Sequence, residues 1–274
     1  MKKWVRIVTR VAAVLLVVSG VFVAGVYVAS EWKMARTYDI PLQDLPSNMD
    51  YDAGQAERMA RIVGCWAGCH GTRGEGGVEE IQGIRRITAP TLSAVLPEYS
   101  DEELYRLILH GVKRNGKSAI GMSSFTFWSV GDSDISNIIQ FLRQQPAATP
   151  VNRSVEIPLH SRLKLLQGVW QLSADQVDKS QPRLGNMPRN TSYDRGKYLA
   201  AIVCAECHGS DFQGDPLEGG PSLAILVLYD ADEFSDFMKT SRSQSGRHIE
   251  RMNWLSEIGF TDEDISDLYQ FLAK

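Results

Sequence analysis

Positive charge is scarce in this 274-residue sequence once its first segment is set aside. Lys and Arg number 29 against 33 Asp and Glu, and four of those bases, Lys2, Lys3, Arg6 and Arg10, fall in the first 30 residues, where no acid occurs. The rest holds 25 bases against 33 acids, a formal −8. Such an acidic body argues against nucleic acid as a partner. Glycine and proline are modest, 23 and 11 residues, which with 43% apolar and 23% charged residues excludes collagen-like, low-complexity and wholly disordered classes. A chain of this length and composition folds, and two domains are a better expectation than one. Cysteine is scarcest, at four residues, all in two short clusters.

Residues 11–30 contain no ionisable acid or base, a run of 20 that Glu31 ends. As a helix this stretch spans roughly 30 Å, the thickness of a bilayer's hydrocarbon core. The basic flank before it and the mixed charges of Glu31, Lys33 and Arg36 after it place the N-terminus in the cytoplasm and the remaining residues across the membrane. A cleaved signal peptide is the alternative, since Val28, Ala29 and Ser30 set small residues where a peptidase cuts. The apolar run is longer than the roughly 7–15 residues of a signal core, so residues 1–36 are read as a cytoplasmic stub and transmembrane anchor. Either reading exports the rest.

Four cysteines in an exported chain ordinarily suggest two disulfides. The spacing suggests otherwise. Cys204-Ala205-Glu206-Cys207-His208 is the pattern of c-type haem attachment, in which two thiols add to the porphyrin vinyl groups and the adjacent histidine lies beneath the iron. A redox or disulfide pair that happens to precede a histidine is the plainer alternative. Cys65-Trp66-Ala67-Gly68-Cys69-His70 has one more residue between its thiols. Its loop must bulge for both to reach the same two vinyls, and Gly64 and Gly68 permit that. Zinc fits poorly, because no further cysteine and only three further histidines, His110, His160 and His248, remain to complete two ligand sets.

With these motifs the chain resembles the class I cytochrome c domain family, used twice, over about residues 50–145 and 190–274. The resemblance implies an all-α fold, two tandem cytochrome c domains behind an N-terminal transmembrane helix, and two covalently bound haem c groups. Thioether bonds would form at Cys65, Cys69, Cys204 and Cys207, with His70 and His208 as axial ligands. In that family a Pro-Leu pair follows the haem-binding loop, matched here by Pro90-Thr91-Leu92 and Pro221-Ser222-Leu223. The resemblance implies that the carbonyls of Pro90 and Pro221 accept a hydrogen bond from Nδ1–H of His70 and His208, fixing the tautomer whose Nε2 faces iron. A proline that merely ends a loop is the simpler reading of each. A methionine before the C-terminal helix would supply the second axial ligand.

The sequence itself points to which methionine, because its two halves repeat in register. Counted from Met122 and Met252, Tyr99 and Tyr229 stand 23 residues before, and Gly116 and Gly246 six before. Asp134-Ile135-Ser136 and Asp264-Ile265-Ser266 begin 12 after, and Gln140-Phe141-Leu142 and Gln270-Phe271-Leu272 begin 18 after. Met122 and Met252 thus hold one position of a duplicated unit and read as equivalent axial ligands, with apolar gap-filling as the alternative. His248 competes, standing four residues before Met252, but its repeat partner Ser118 cannot replace it on iron. His110 closes the apolar pattern of Leu104, Leu107 and Ile108 and is expected at its solvent edge. His160 is expected to be exposed.

Residues 37–49, with Pro41 and Pro46, read as a tether lifting the first unit from the membrane; the first domain is set at 37–145, a connector at 146–190 and the second domain at 191–274. Helices are expected over 101–110, 134–143, 195–203, 232–240 and 262–272, and another from Ala56. The connector holds five of the eleven prolines and is not one helix. Its Leu163, Leu165, Leu166, Val169, Trp170 and Leu172 are too apolar for a free linker and are expected to pack across both domains. Trp66, Trp128 and Trp254 are either propionate donors or ordinary core.

Two irons with His and Met on their axes have no open position, so each exchanges one electron with little rearrangement and does not readily bind oxygen or peroxide. The implied function is a membrane-anchored dihaem c-type cytochrome, an electron carrier rather than an enzyme. It would work on the periplasmic side of the inner membrane, from a quinol-oxidising complex or dehydrogenase toward a terminal oxidase or reductase. Its acidic body would select a basic docking face on these redox partners. One alternative is a haem-bearing subunit of a larger oxidoreductase complex, which an exposed apolar patch on the connector would favour. Another is a dihaem peroxidase or sulfur-compound dehydrogenase, which would need a haem lacking its methionine.

Overall fold

The computed structural model describes residues 2–45, 51–66, 68–81, 85–152 and 154–273. Ala67 of the first cysteine cluster and residues 46–49 of the expected tether lie outside the described residues. The chain is mainly helical: α1 (Lys2–Ala35), α2 (Ala53–Ile62), α3 (Asp101–His110), α4 (Asp132–Arg143), α5 (Leu159–Gln167), α6 (Ser192–Leu199), α7 (Ala231–Thr240) and α8 (Asp262–Leu272), joined by shorter helical turns. Helix α1 extends the apolar run at both ends, with a length and composition that suit either a membrane span or a signal sequence.

Helix boundaries follow side-chain capping. Ser100 caps α3 in a capping box with Glu103, and the acidic first turn Asp101, Glu102, Glu103 complements the helix dipole. Asp230 with Glu233 does the same for α7, and Thr261 with Asp264 for α8. Helix α2 starts from Asp52 and α6 from Thr191, each some three residues before the apolar pattern suggests, because the cap oxygen and not the apolar stripe sets the first turn. Helix α4 differs: its cap is Gly131, which offers no side-chain oxygen, and Ser133 lies inside the helix. The apolar faces of α2 (Ala56, Met59, Ala60), α4 (Ile135, Ile138, Ile139), α6 (Tyr198, Leu199) and α8 (Ile265, Leu268) join in one buried cluster that runs through both halves.

Among the described residues, strand enters this mainly helical fold only as three short segments. Pro90 follows His70 by 20 positions where Pro221 follows His208 by 13, and the extra length forms strands β1 (Gly77–Ile81) and β2 (Arg85–Ala89). They pair antiparallel from Gly77↔Ala89 to Ile81↔Arg85, and the connector adds β3 (Val155–Glu156) beside β2. Further connector residues, Ile157, Leu165, Trp170 and Leu172, form a second buried cluster with Met34 of α1, Ile120 of the first unit and Leu217 of the second. Leu166 and Val169, expected to pack as well, stay exposed.

The connector also seats the end of α1. Arg162 stacks over the Tyr27 ring at 4.3 Å, donates to Ser30 Oγ at 2.7 Å and pairs with Glu31, while Lys33 Nζ donates to the Leu165 carbonyl at 2.6 Å. The residues after α1 are not a free tether: Thr37 bridges Lys117, and the Tyr38 N–H donates to the Gly116 carbonyl at 2.8 Å.

Candidate functional site

The second cysteine cluster is approached by α6, which passes through a π-helical turn over Ala200–Cys204, a distortion common at functional sites. The cap residue Thr191 lies 13 residues before Cys204, as Asp52 lies 13 before Cys65, although only the second unit stays helical up to its cysteine. Burial and the adjacent Cys207 push the Cys204 thiol up to about 12. His208 is buried, and its Nδ1 lies 2.7 Å from the Pro221 carbonyl. The loop then wraps tightly. Gly209 takes φ 79°, the Gly214 N–H donates to the His208 carbonyl at 2.8 Å, and the Leu223 N–H donates to the Phe212 carbonyl at 2.9 Å.

The first cluster is built from the same parts. His70 Nδ1 lies 2.9 Å from the Pro90 carbonyl; Gly71 takes φ 81°; the Gly76 N–H donates to the His70 carbonyl at 2.8 Å; and the Leu92 N–H donates to the Gly74 carbonyl at 2.8 Å. Burial pushes the Cys65 thiol up to about 12. The additional residue between the thiols is absorbed by Gly64, at φ 72°, and by Gly68, where a Cβ would stand 2.5 Å from the Gly64 Cα. Gly68 is therefore sterically required, while Gly64, with open space where a Cβ would stand, is favoured by its left-handed backbone alone. In each unit a second glycine presses on the second cysteine: a Cβ on Gly77 would lie 2.8 Å from the Cys69 carbonyl oxygen, and one on Gly220 2.0 Å from that of Cys207.

These observations test whether haem suits the residues present. Burial lowers the His70 pKa against the opposing Pro90 hydrogen bond, so the ring is neutral. A neutral imidazole that donates from Nδ1 carries its lone pair on Nε2, the form that ligates a metal. The residues fit. Among the described residues no group of three or more His, Cys, Asp or Glu is placed to hold a metal ion in the manner of zinc.

The repeat register of the methionines is matched in backbone geometry. Gly111 and Ser241 both take left-handed φ, 64° and 56°; Val112 bridges Ser118 as Arg242 bridges His248. The Lys113 N–H donates to Lys117 and the Ser243 N–H to Arg247, each at 2.9 Å. These hairpins lead to Met122 and Met252, both half-buried against the core. The local forms then diverge, since Met122 precedes a helical turn at Ser124–Phe127 while Met252 lies within a 3₁₀ segment at Glu250–Ser256. His248 and His160 are exposed.

His110 is not at a solvent edge. It is buried at the end of α3 with its ring 5.6 Å from that of Trp128, and burial with the charges of Lys179, Arg183 and Arg106 pushes its pKa down to about 4. The connector covers the face that the apolar pattern left open: Arg183 pairs with Asp132, donates to the Val130 carbonyl at 2.7 Å and lies over the Trp128 ring. Trp128 is no propionate donor here, because its N–H donates to the Gln181 carbonyl at 2.9 Å. Trp66 is core, edge-on to Phe141 at 5.4 Å.

Sequence reasoning missed the contacts between the units. Ser123, beside Met122, donates to the carboxylate of Glu206, which stands between Cys204 and Cys207. Arg85 of β2 pairs with Glu218 at 3.0 Å. Arg58 of α2 pairs with Asp264 of α8, and Tyr198 of α6 donates to Asp134 of α4 at 2.9 Å. A cleft of about 330 Å³ lies between Met122, Ser123 and Trp170 on one side and Glu206, Asp215 and Leu217 on the other. The repeated Asp-Ile-Ser triplets were the one sequence signal for any of this.

Comparison with curated proteins found no match. Residues 193–274 match the family model of cytochrome c. The second unit is thus similar to cytochrome c, a likeness that supports a covalently bound haem c and electron transfer by the unit that bears it.

Proposed function

We propose that the chain is a dihaem c-type cytochrome, anchored in the inner membrane by α1, that carries electrons on the periplasmic side. The observation that carries this reading is the duplicated histidine–proline bond: His70 to Pro90 and His208 to Pro221, at 2.9 and 2.7 Å, inside loops with the same glycine φ values and backbone hydrogen bonds. Haem iron supplies reversible one-electron chemistry when bound. In each unit two cysteines would hold the group covalently, His70 or His208 would present Nε2, and Met122 or Met252 would close the opposite side. Pro90 and Pro221 fix ring tautomer and direction, and Leu92 and Leu223 follow them at the loop exit. The acidic exterior suits basic redox partners, a quinol-oxidising complex or dehydrogenase as donor and a terminal oxidase or reductase as acceptor.

The test is haem content per chain by alkaline pyridine spectrum, with peptide mass analysis of both clusters. Two haems per chain, one of them bonded to Cys65 and Cys69, are expected. One haem per chain, with Cys65 and Cys69 both alkylatable after denaturation, would refute the dihaem reading. A permanent place in a larger oxidoreductase complex is the second reading, favoured by the exposed Leu166 and Val169 on the connector. Co-purification in fixed stoichiometry from mild detergent separates it from a free carrier.

A further inference from the structure

We propose that the second unit docks a basic redox protein through an apolar patch of Ile225, Val227 and Leu228 set in an acidic face; this rests on the electron-carrier reading and names the surface through which it acts. The patch lies on a 3₁₀ segment, Leu223–Leu228, that begins two residues after Pro221, the partner of His208. Ile225, Val227 and Leu228 are 56%, 64% and 69% exposed, while Leu226 between them is buried and anchors the segment. Its backbone is tied down as well. Tyr269 donates to the Tyr229 carbonyl at 3.0 Å, and Gln244 donates to that of Leu228 at 3.0 Å.

The first unit provides an internal control. In the register that aligns Tyr99 with Tyr229, Leu96 is buried like Leu226, but Pro97 stands where the second unit has Val227, and Glu98 where it has Leu228. The same backbone position is therefore polar in one unit and apolar in the other, so the exposure is not a requirement of the fold. Charge is divided likewise. Residues 198–238 hold eight acids and no Lys or Arg, with Asp211, Asp230, Asp232, Glu233 and Asp236 exposed. The first unit carries Arg61, Arg73, Arg85, Arg86 and Arg106 over the matching stretch. Lys239, which follows the acidic run, pairs with Asp262, and Arg242 of the neighbouring hairpin reaches the Gly246 carbonyl.

An apolar centre with a charged rim is the anatomy of a specific protein interface. The rim's sign selects the occupant. Anionic lipid headgroups and a second copy of the same acidic face are both repelled, whereas a redox protein with Lys and Arg around its own exposed cofactor edge is drawn in and oriented. Electrons would then enter or leave at the second unit.

The test uses the full chain in detergent micelles, reduced, and follows its oxidation by stopped flow with two probes: mitochondrial cytochrome c, a basic protein, and hexaammineruthenium(III), a small cation. Replacing Val227 and Leu228 by Ser, which leaves the charge unchanged, should slow the protein reaction about tenfold and leave the ruthenium rate unaltered. The first-unit variant Val95→Ser, at the position that matches Ile225, should alter neither. An unchanged protein rate in the Val227/Leu228 variant would overturn the proposal. So would a wild-type dimer in sedimentation that this variant dissolves, or a Leu228→Cys thiol that a water-soluble maleimide labels in micelles but not in lipid nanodiscs. If neither probe oxidises the wild-type protein, the electron-carrier reading itself fails, and the docking proposal with it.

Discussion

Gly196 sits where α6 crosses α8, and replacing it by Ala sets two effects of opposite sign against each other. In an open helix Ala is better than Gly by about 1 kcal/mol. Here a Cβ would lie 1.9 Å from the Asp267 carbonyl oxygen, 2.5 Å from its carbon and 3.0 Å from the Phe271 Cβ, where ordinary contact begins at 3.4 Å. The helices must part by roughly 1.5 Å, and forced overpacking of backbone on backbone belongs at or above the top of the range, about 3 kcal/mol. Asp267 is also the buried acceptor of Arg195, so parting the helices strains that pair too. The steric effect wins. Gly196→Ala should lose about 2 kcal/mol net, a fall in Tm of roughly 4–8 °C by calorimetry. Because α6 runs directly into Cys204, the Soret band of the second unit should broaden with it. Gly54→Ala in α2 is the control, since its nearest obstacle is the Asp52 carboxylate oxygen at 3.4 Å; it should be neutral or stabilising. A Tm for Gly196→Ala equal to or above wild type would refute the argument.

Met252→Ala should let carbon monoxide bind the reduced second haem while the first keeps its spectrum, and Met122→Ala should do the converse; His248→Ala, at an exposed position, should change neither. His110 has a folded pKa of about 4 against 6.5, so the unfolded chain binds its proton first. Stability is then unaffected by His110 above neutrality and falls as pH drops from 6.5 toward 4, by up to about 3 kcal/mol; His110→Phe should flatten that slope in urea titrations. The Asp264 pKa is lowered because hydrogen bonds from Arg58 and Thr261 outweigh the burial that would raise it. Its contribution is present above the unfolded value near about 3.9 and lost as pH falls through the folded one. Asp264→Asn should cost about 1–3 kcal/mol at pH 7, and most of the Arg58 part of that loss should be absent in an Arg58→Met background, as a double-mutant cycle would measure.

What the sequence made legible was local. The ends of α3 and α8 follow from Ser100 with Glu103 and from Thr261 with Asp264, residues three apart whose side chains satisfy the first turn. The histidine–proline bonds were reached through the family resemblance and Met122 and Met252 through the internal repeat, whereas the hairpins before the two methionines were not foreseen. Strands β1 and β2 were missed because Glu79, Glu80, Arg85 and Arg86 give the segment almost no apolar alternation; only the greater length of the first loop hinted at them. The position of His110 was misjudged for a different reason. Its helix face is apolar to the edge as read, but the cover over that edge comes from Lys179 and Arg183, some 70 residues away in the chain, and no periodicity reports a partner at that distance.

The contacts between units are the least local of all, and they are reciprocal. The first unit's Arg58 reaches the second unit's Asp264, and the second unit's Tyr198 reaches the first unit's Asp134. The two aspartates are the same position of the repeat, so each C-terminal helix accepts a bond from the N-terminal helix of the other unit. A duplicated domain that merely sat beside its copy would not need this, since one such bond suffices to fix contact but not rotation. Two bonds from opposite sides, with a shared buried core between them, remove the rotation as well. The connector adds a third constraint by packing on α1 and both units at once. The consequence falls at the cleft, where Ser123 touches Glu206 and so brings the Met122 loop of one unit against the cysteine loop of the other. On the dihaem reading, electron exchange between the units then depends on a separation set by the fold rather than by diffusion of one domain about a linker.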